Sequence, residues 1–273
     1  GIHLNTKSGA SDIIIKDVEA HGFNWAGISV GRTGNFSDVV TTFKRVTIEG
    51  CYAHHNRVAG IWYGWVDGIN LTNNRCEYNG LETDGGTGYG MAGASDAYPR
   101  NVSITSNFCN YNHRKGIDLH AGYNVDVSNN ICNDNTLIGI ALVMRNNGNG
   151  TFPLQPFGDI NISHNLISNK RNTAFPSSSL QFLAEVGNND FHSETDNWVS
   201  NISIVGNKVN NYGRTTIEDA AILCGVQSIA TAYVNISDNM INIAECSYII
   251  TLDASGGSTA KHPKHKNDTI ISN

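Results

Sequence analysis

The sequence predicts an all-β solenoid, a right-handed parallel β-helix forming one domain over residues 1–273, and three observations carry that prediction. The motif apolar-x-apolar-x-x-Asn recurs at Ile69-Leu71-Asn74, Val102-Ile104-Asn107, Val125-Val127-Asn130, Ile160-Ile162-Asn165, Ile202-Ile204-Asn207 and Val234-Ile236-Asn239. Its shortest spacing, Ile104 to Val127, is 23 residues, inside the roughly 20–50 residue window of stacked repeats. Within each unit the apolar period is two, with β-branched residues and glycine, and no stretch keeps a helical period for three or four turns.

The elements follow in chain order. The first turns, Ile13-Ile15 with Val18 and Val46-Ile48 with Cys51, keep the apolar column but lack the Asn. From Asn74 onward each unit has the corner Asn, and two residues later a Cys or aliphatic residue: Cys76, Cys109, Cys132, Ile167, Val209, Ile241. Coils stacked about 4.8 Å apart would bury these columns and pair each backbone with its neighbours. An Asn at one corner accepts left-handed backbone and passes amide hydrogen bonds along a ladder. The sequons at Asn70, Asn101, Asn161, Asn201 and Asn235 lie in the strand register and are read as structural. Cys76, Cys109 and Cys132 read as buried small hydrophobes; no CxxC pair points to zinc. His21 and His54 are expected in one column past the corner, continued by Asn79, Asn112 and Asn135.

A second strand follows each corner: Gly27-Ile28-Ser29-Val30, Gly60-Ile61-Trp62-Tyr63, Gly116-Ile117-Asp118-Leu119, Gly139-Ile140-Ala141-Leu142, then Leu180-Gln181-Phe182 and Ile222-Leu223-Cys224. With Ile inward, the outward column reads Ser29, Trp62, Asp118, Ala141, Gln181, Leu223. Across an insertion from Gly80 to Tyr98, the expected register sets Gly90 and Ala92 beside Asp118 and His120, with Ala141 and Val143 on the other side. Those small residues would leave a hollow walled by Trp62 and Trp65.

Totals narrow the function classes. A formal net charge of -6 opposes a general nucleic-acid role, which needs a concentrated basic face. No apolar run approaches the roughly 20 residues of a membrane span. The opening Gly1-Ile2-His3-Leu4-Asn5 has no initiating Met or signal-peptide pattern, and Ile270-Ile271-Ser272-Asn273 restarts the repeat, so the chain is expected to be a fragment of a longer one. The cluster Asp190, His192, Glu194 and Asp196 fits no defined calcium loop. No metal and no cofactor is expected.

The candidate site is His113-Arg114-Lys115-Gly116-Ile117-Asp118-Leu119-His120. If Ile117 and Leu119 face the core, alternation sends Asp118 and His120 out together. The insertion carries Glu82 and Asp84 and is expected to overhang them. Arg114, Lys115 and Arg145 supply cations, with His113 alongside and His54 and His55 a few coils away. Trp62, Trp65, Tyr89 and Tyr98 offer flat faces suited to sugar rings. The first reading is a glycoside hydrolase, which would use Asp118 with Glu82 or Asp84 as paired carboxyls, and the next two are its alternatives. A uronate lyase or epimerase would use a cation on the developing charge and His120 as base, oriented by Asp118. In a structural or adhesive β-helix the same residues would be ordinary surface.

Gly116-Ile117-Asp118-Leu119-His120 resembles the Gly-aromatic-Asp-Pro-His signature of mannuronan C5-epimerases, in which the Asp and His are catalytic. The chain departs from that family at Lys115, where it has a catalytic Tyr, and at Val143, where it has an Asp. Through its repeat the chain resembles the pectate-lyase-like β-helix superfamily, and in particular the central barrels of bacteriophage tailspike depolymerases. That resemblance implies a homotrimer on a virion tail or otherwise extracellular, binding and cutting bacterial capsule or O-antigen.

Overall fold

A computed structural model describes residues 1–5, 9–31, 43–81, 87–94, 99–119, 122–146, 158–169, 180–186, 199–211, 220–226, 231–243, 248–253, 265–266 and 270–272. The chain winds into a right-handed parallel β-helix, and the described residues include no helix. None therefore offers a helix long and apolar enough to cross a membrane.

Each coil contributes to three faces. The nine-stranded face stacks Ile2–Leu4, Ala26–Val30, Ala59–Tyr63, Tyr89–Gly93, Lys115–Leu119, Ile138–Asn146, Leu180–Val186, Ala220–Val226 and Tyr248–Asp253. The ten-stranded face holds the repeat motif, from Ser11–Lys16 through Val66–Thr72 and Tyr123–Ser128 to Thr231–Ser237 and His265–Lys266. The third face is two short sheets, joined through Phe108, which bridges Arg75 and Ile131.

The core is the inward columns of these faces. Ile48, Leu71, Ile104, Val127, Ile162 and Ile204 stack coil over coil and are completely buried. Ile61, Met91, Ile117 and Ile140 do the same on the nine-stranded face. Each such burial is worth roughly 1.5–3 kcal/mol relative to exposure. Cys76 and Cys132 are buried free thiols in the third face's column, with Cys109 between them. Burial pushes the thiols of Cys76 and Cys132 up from their ordinary range.

The corner Asn residues form a continuous ladder. Nδ2 of Asn74, Asn107, Asn130, Asn165 and Asn207 donates to Oδ1 of the next Asn at 3.0–3.1 Å, ending at Asn239. Each Nδ2 also donates to a strand carbonyl beneath it, as Asn130 does to Ile104 at 2.8 Å. Cys51 stands at the ladder's first end, its N–H donating to Asn74 Oδ1.

A second ladder, Asn56–Asn79–Asn112–Asn135, runs beneath the nine-stranded face. Asn79, Asn112 and Asn135 thus continue from Asn56 and not from His54, whose strand partner is Glu77. The corner places a left-handed residue, His55, between the two positions. This ladder explains the glycine that opens each strand above it: a Cβ on Gly116 would lie 2.8 Å from Asn135 Nδ2 and 2.6 Å from Gly139 O.

Candidate active site

Lys115–Leu119 sits between Tyr89–Gly93 and Ile138–Asn146. Register pairs Asp118 with Ala92 on one side and Ala141 on the other, and Ser29, Trp62, Gln181 and Leu223 continue that column as expected. Ala92, not Gly90, therefore lies opposite Asp118. The stretch Tyr89–Gly93 is a full member of the face and divides the 80–98 insertion into a part before it and a part after it. Such a division hides the register from pattern matching.

Ile117 and Leu119 face the core as expected, but the outward face here is closed. Asp118 is 0% exposed, and Ala92 and Ala141 are buried too. Instead of an open hollow there is an ion pair: Lys115 Nζ meets Asp118 Oδ1 at 2.7 Å. Strict alternation would place Lys115 inward with Ile117. The column of Lys115 contains Ala26, Ala59, Tyr89 and Ile138. Ala26 and Ala59 cluster with Trp62 and Ala92, and Ile138 with Ala141, all outside the main core. The chain thus turns at Gly116, and residues three apart share the outer face. Leu137 and Ile138 then pack over Ala141, which closes the face beside Asp118.

The aromatic residues are also turned inward more than expected. Trp62 is only 7% exposed, packed with Val58, Ala59 and Ala94, and Trp65 and Tyr89 are half-buried against that cluster. Trp62 packs this way because its register neighbours in the two adjoining coils, Ser29 and Ala92, are small. Trp25, 48% exposed, lies edge-on to Trp62 at 6.5 Å and offers an open aromatic surface beside it. Arg114 Nη1 donates to Tyr89 Oη at 2.8 Å, with its guanidinium 5.6 Å from the ring centre. The N–H groups of Arg114 and Lys115 both donate to Gly88 O.

The insertion is rooted over this corner. Gly80 (φ +100°) and Gly88 (φ +106°) lie so close that a Cβ on Gly80 would come within 2.4 Å of Gly88 Cα and 2.7 Å of His113 Cβ. His113 is half-buried there, its N–H donating to Asn79 O. Glu82, Asp84, Tyr98 and His120 lie outside the described residues, as does the side chain of Arg145.

One feature escaped the sequence reading, and a second was caught only in part. Tyr63 is fully buried, its hydroxyl has no hydrogen-bond partner among the described residues, and burial together with the Asp118 carboxylate pushes its proton affinity up. The second ladder was marked in sequence by Asn-x-x-x-Gly at Asn56–Gly60, Asn112–Gly116 and Asn135–Gly139.

A coiled parallel barrel with this column structure defines the class. The right handed beta helix region family matches residues 1–191, and the chain belongs to that family. Among solved structures it is similar to the A-module of mannuronan C-5 epimerase from Azotobacter vinelandii, at 18% identity and TM-score 0.61, over 92% of this chain and 60% of that one. DFA-IIIase from Arthrobacter chlorophenolicus gives 12% and 0.44, over 84% of this chain and 64% of that one. The tailspike protein of Pseudomonas phage LKA1 gives 12% and 0.38, over 95% and 48%. The chain thus spans less than two thirds of each, and at these identities the likeness is one of fold. No curated protein matches the sequence.

Proposed function

We propose that the protein binds a bacterial surface polysaccharide along the nine-stranded face and processes an acidic one by proton abstraction beside a sugar carboxylate. The observation that carries this reading is the buried Lys115–Asp118 pair, set among small apolar neighbours where an ion pair is costly to desolvate and often marks function. Asp118 has no exposed surface, so in this arrangement it is a positioning residue that holds the Lys115 ammonium at the face. That ammonium and Arg114 supply positive charge for the enolate-like charge that develops when the C5 proton leaves. His120 is the proposed base. In elimination the C5 proton goes to the base, a C4–C5 double bond forms, the C4–O bond breaks and the leaving oxygen takes a proton. In epimerisation the base keeps the C5 proton, the C4–O bond stays intact, and a proton from water is delivered to the opposite face of C5.

Hydrolysis is the second reading, favoured by the insertion root at Gly80 and Gly88 beside His113. Glu82 or Asp84 would then be the acid and Asp118, once uncovered, the ionised carboxylate. A homotrimer in a virion tail or another extracellular setting belongs to the same reading, and light scattering in solution reads the assembly state.

The test is incubation with neutral and acidic bacterial polysaccharides, following reducing ends, ultraviolet absorbance and C5 configuration by NMR. Reducing ends rising with absorbance, or C5 inversion, is the expected result on a uronate polymer. Reducing ends without absorbance overturns proton abstraction in favour of hydrolysis. No change on any polymer removes the enzyme reading.

A further inference from the structure

We propose that Trp25 is a sugar-stacking platform, a subsite that takes the apolar face of a pyranose ring and is indifferent to any carboxylate the ring carries. This rests on the polysaccharide reading above and adds to it a contact remote from Lys115 and Asp118.

The aromatic residues that the sequence offered for this role are largely taken up in packing: Trp62 is 7% exposed, and Trp65 and Tyr89 are half-buried in the same cluster. Trp25 is not. It leaves 48% of its surface open although Trp62 stands edge-on to it at 6.5 Å, and Phe23, two residues earlier, is 39% exposed. A single exposed aromatic residue is ordinary, but here the backbone beneath it is fixed. Phe23 N–H donates to Asn56 Oδ1 at 3.1 Å, at the end of the second Asn ladder, and Phe23 O and Trp25 O accept from the N–H groups of Arg57 and Val58, both at 2.9 Å. An indole held on a fixed backbone and left open binds a flat partner with little further loss of conformational freedom.

The groups around it suit a sugar. Arg57 Nη1 donates to Asn24 Oδ1 at 3.2 Å, and both side chains are exposed. With its oxygen engaged, the Asn24 amide keeps Nδ2 as a donor to a hydroxyl, one residue from the indole. An apolar ring with polar donors at its margin matches a pyranose, which has C–H faces and hydroxyl edges.

Position ties the platform to the nine-stranded face. Trp25, Val58, Gly88 and Arg114 follow one another up a single line of the barrel, each carbonyl accepting from the next N–H at 2.8–2.9 Å. Three coil steps separate Trp25 from Arg114, roughly 14 Å along the axis. A polysaccharide laid along the face therefore meets Trp25 with a sugar other than the one at Lys115, and the contact supplies binding energy away from the reacting centre.

The experiment measures binding of galacturonate and mannuronate hexamers, and of their carboxyl-reduced forms, by calorimetry on the full chain, with tryptophan fluorescence followed in the same titration. Trp25→Ala is expected to weaken binding by about tenfold, by the same factor with and without carboxylates. Trp25→Phe, which keeps a smaller flat ring, should give an intermediate affinity. The wild type should shift its fluorescence on binding, and Trp25→Phe should remove that shift. Thermal melting confirms that both variants fold. Unchanged affinity in Trp25→Ala, a loss confined to the acidic hexamers, a fluorescence shift that persists in Trp25→Phe, or a wild type that binds none of the hexamers would each overturn the assignment. Turnover is read separately: product formation with Trp25→Ala binding as tightly as the wild type removes this inference and leaves the catalytic reading, whereas Trp25-dependent binding without any product does the reverse.

Discussion

Lys115 and Asp118 belong to one strand and meet at 2.7 Å on its outer face, although a period of two would put them on opposite faces. The pair is buried, so breaking it strands a charge. Asp118→Asn is expected to lower unfolding stability by about 3–5 kcal/mol and to abolish turnover. The double variant Lys115→Met with Asp118→Leu should recover most of the stability in urea titration and remain inactive. Turnover by that double variant would show the pair to be scaffold alone.

Gly116 is expected to tolerate no side chain. Gly116→Ala would push a Cβ to 2.6 Å from Gly139 O and 2.8 Å from Asn135 Nδ2. A loss of about 1–3 kcal/mol, read from the urea midpoint, should accompany weaker activity, since the bend that brings Lys115 to Asp118 lies there. An unchanged midpoint would contradict the packing described.

The two classes of Asn should separate sharply. Asn130→Ala removes a link between Asn107 and Asn165 and the bond to Ile104 O, and is expected to cost at least about 1–3 kcal/mol. Asn70→Ala, on the exposed side of the ten-stranded face, should stay within about 0.5 kcal/mol. Equal costs would mean that the ladder carries no special share of stability.

Cys76 and Cys132 are buried, and burial raises both thiols. Neither should react with a thiol reagent at neutral pH in the native protein, and both should react on unfolding in guanidinium. Rapid native labelling, located by peptide mapping, would place them at an accessible surface.

Asp12 supplies a pH signature. Hydrogen bonds from Arg45, at 2.6 and 2.7 Å, hold its carboxyl down to about 2 from an ordinary 3.8. Its folded value is depressed, so the stabilisation is present above 3.8 and is lost as pH falls through about 2. The pair is fully exposed, and salt should weaken it. NMR titration of the Asp12 carboxyl checks the value, and Arg45→Gln should return it toward 3.8.

The fold was legible because a solenoid writes its core as a local rule. Val125, Val127 and Asn130 repeat what Val102, Ile104 and Asn107 do one coil earlier, and the first ladder follows from that alignment. The second ladder was as regular, and Asn79, Asn112 and Asn135 were placed in one column from the sequence, but that column was traced back to His54 and not to Asn56. The site was half legible: the coil, Asp118 and the cations stood out, whereas the closed face did not.

By itself, the sequence determined the coiled parallel architecture, the inward columns and the outward series from Ser29 through Asp118 to Leu223, since each depends on residues a fixed distance apart along the chain. Only the tertiary structure decided that Lys115 turns outward at Gly116, that Ala92 rather than Gly90 meets Asp118, and that Leu137 and Ile138 close the face. Burial is the sum of contacts from several coils, and a bend at one residue changes which side chains those contacts cover.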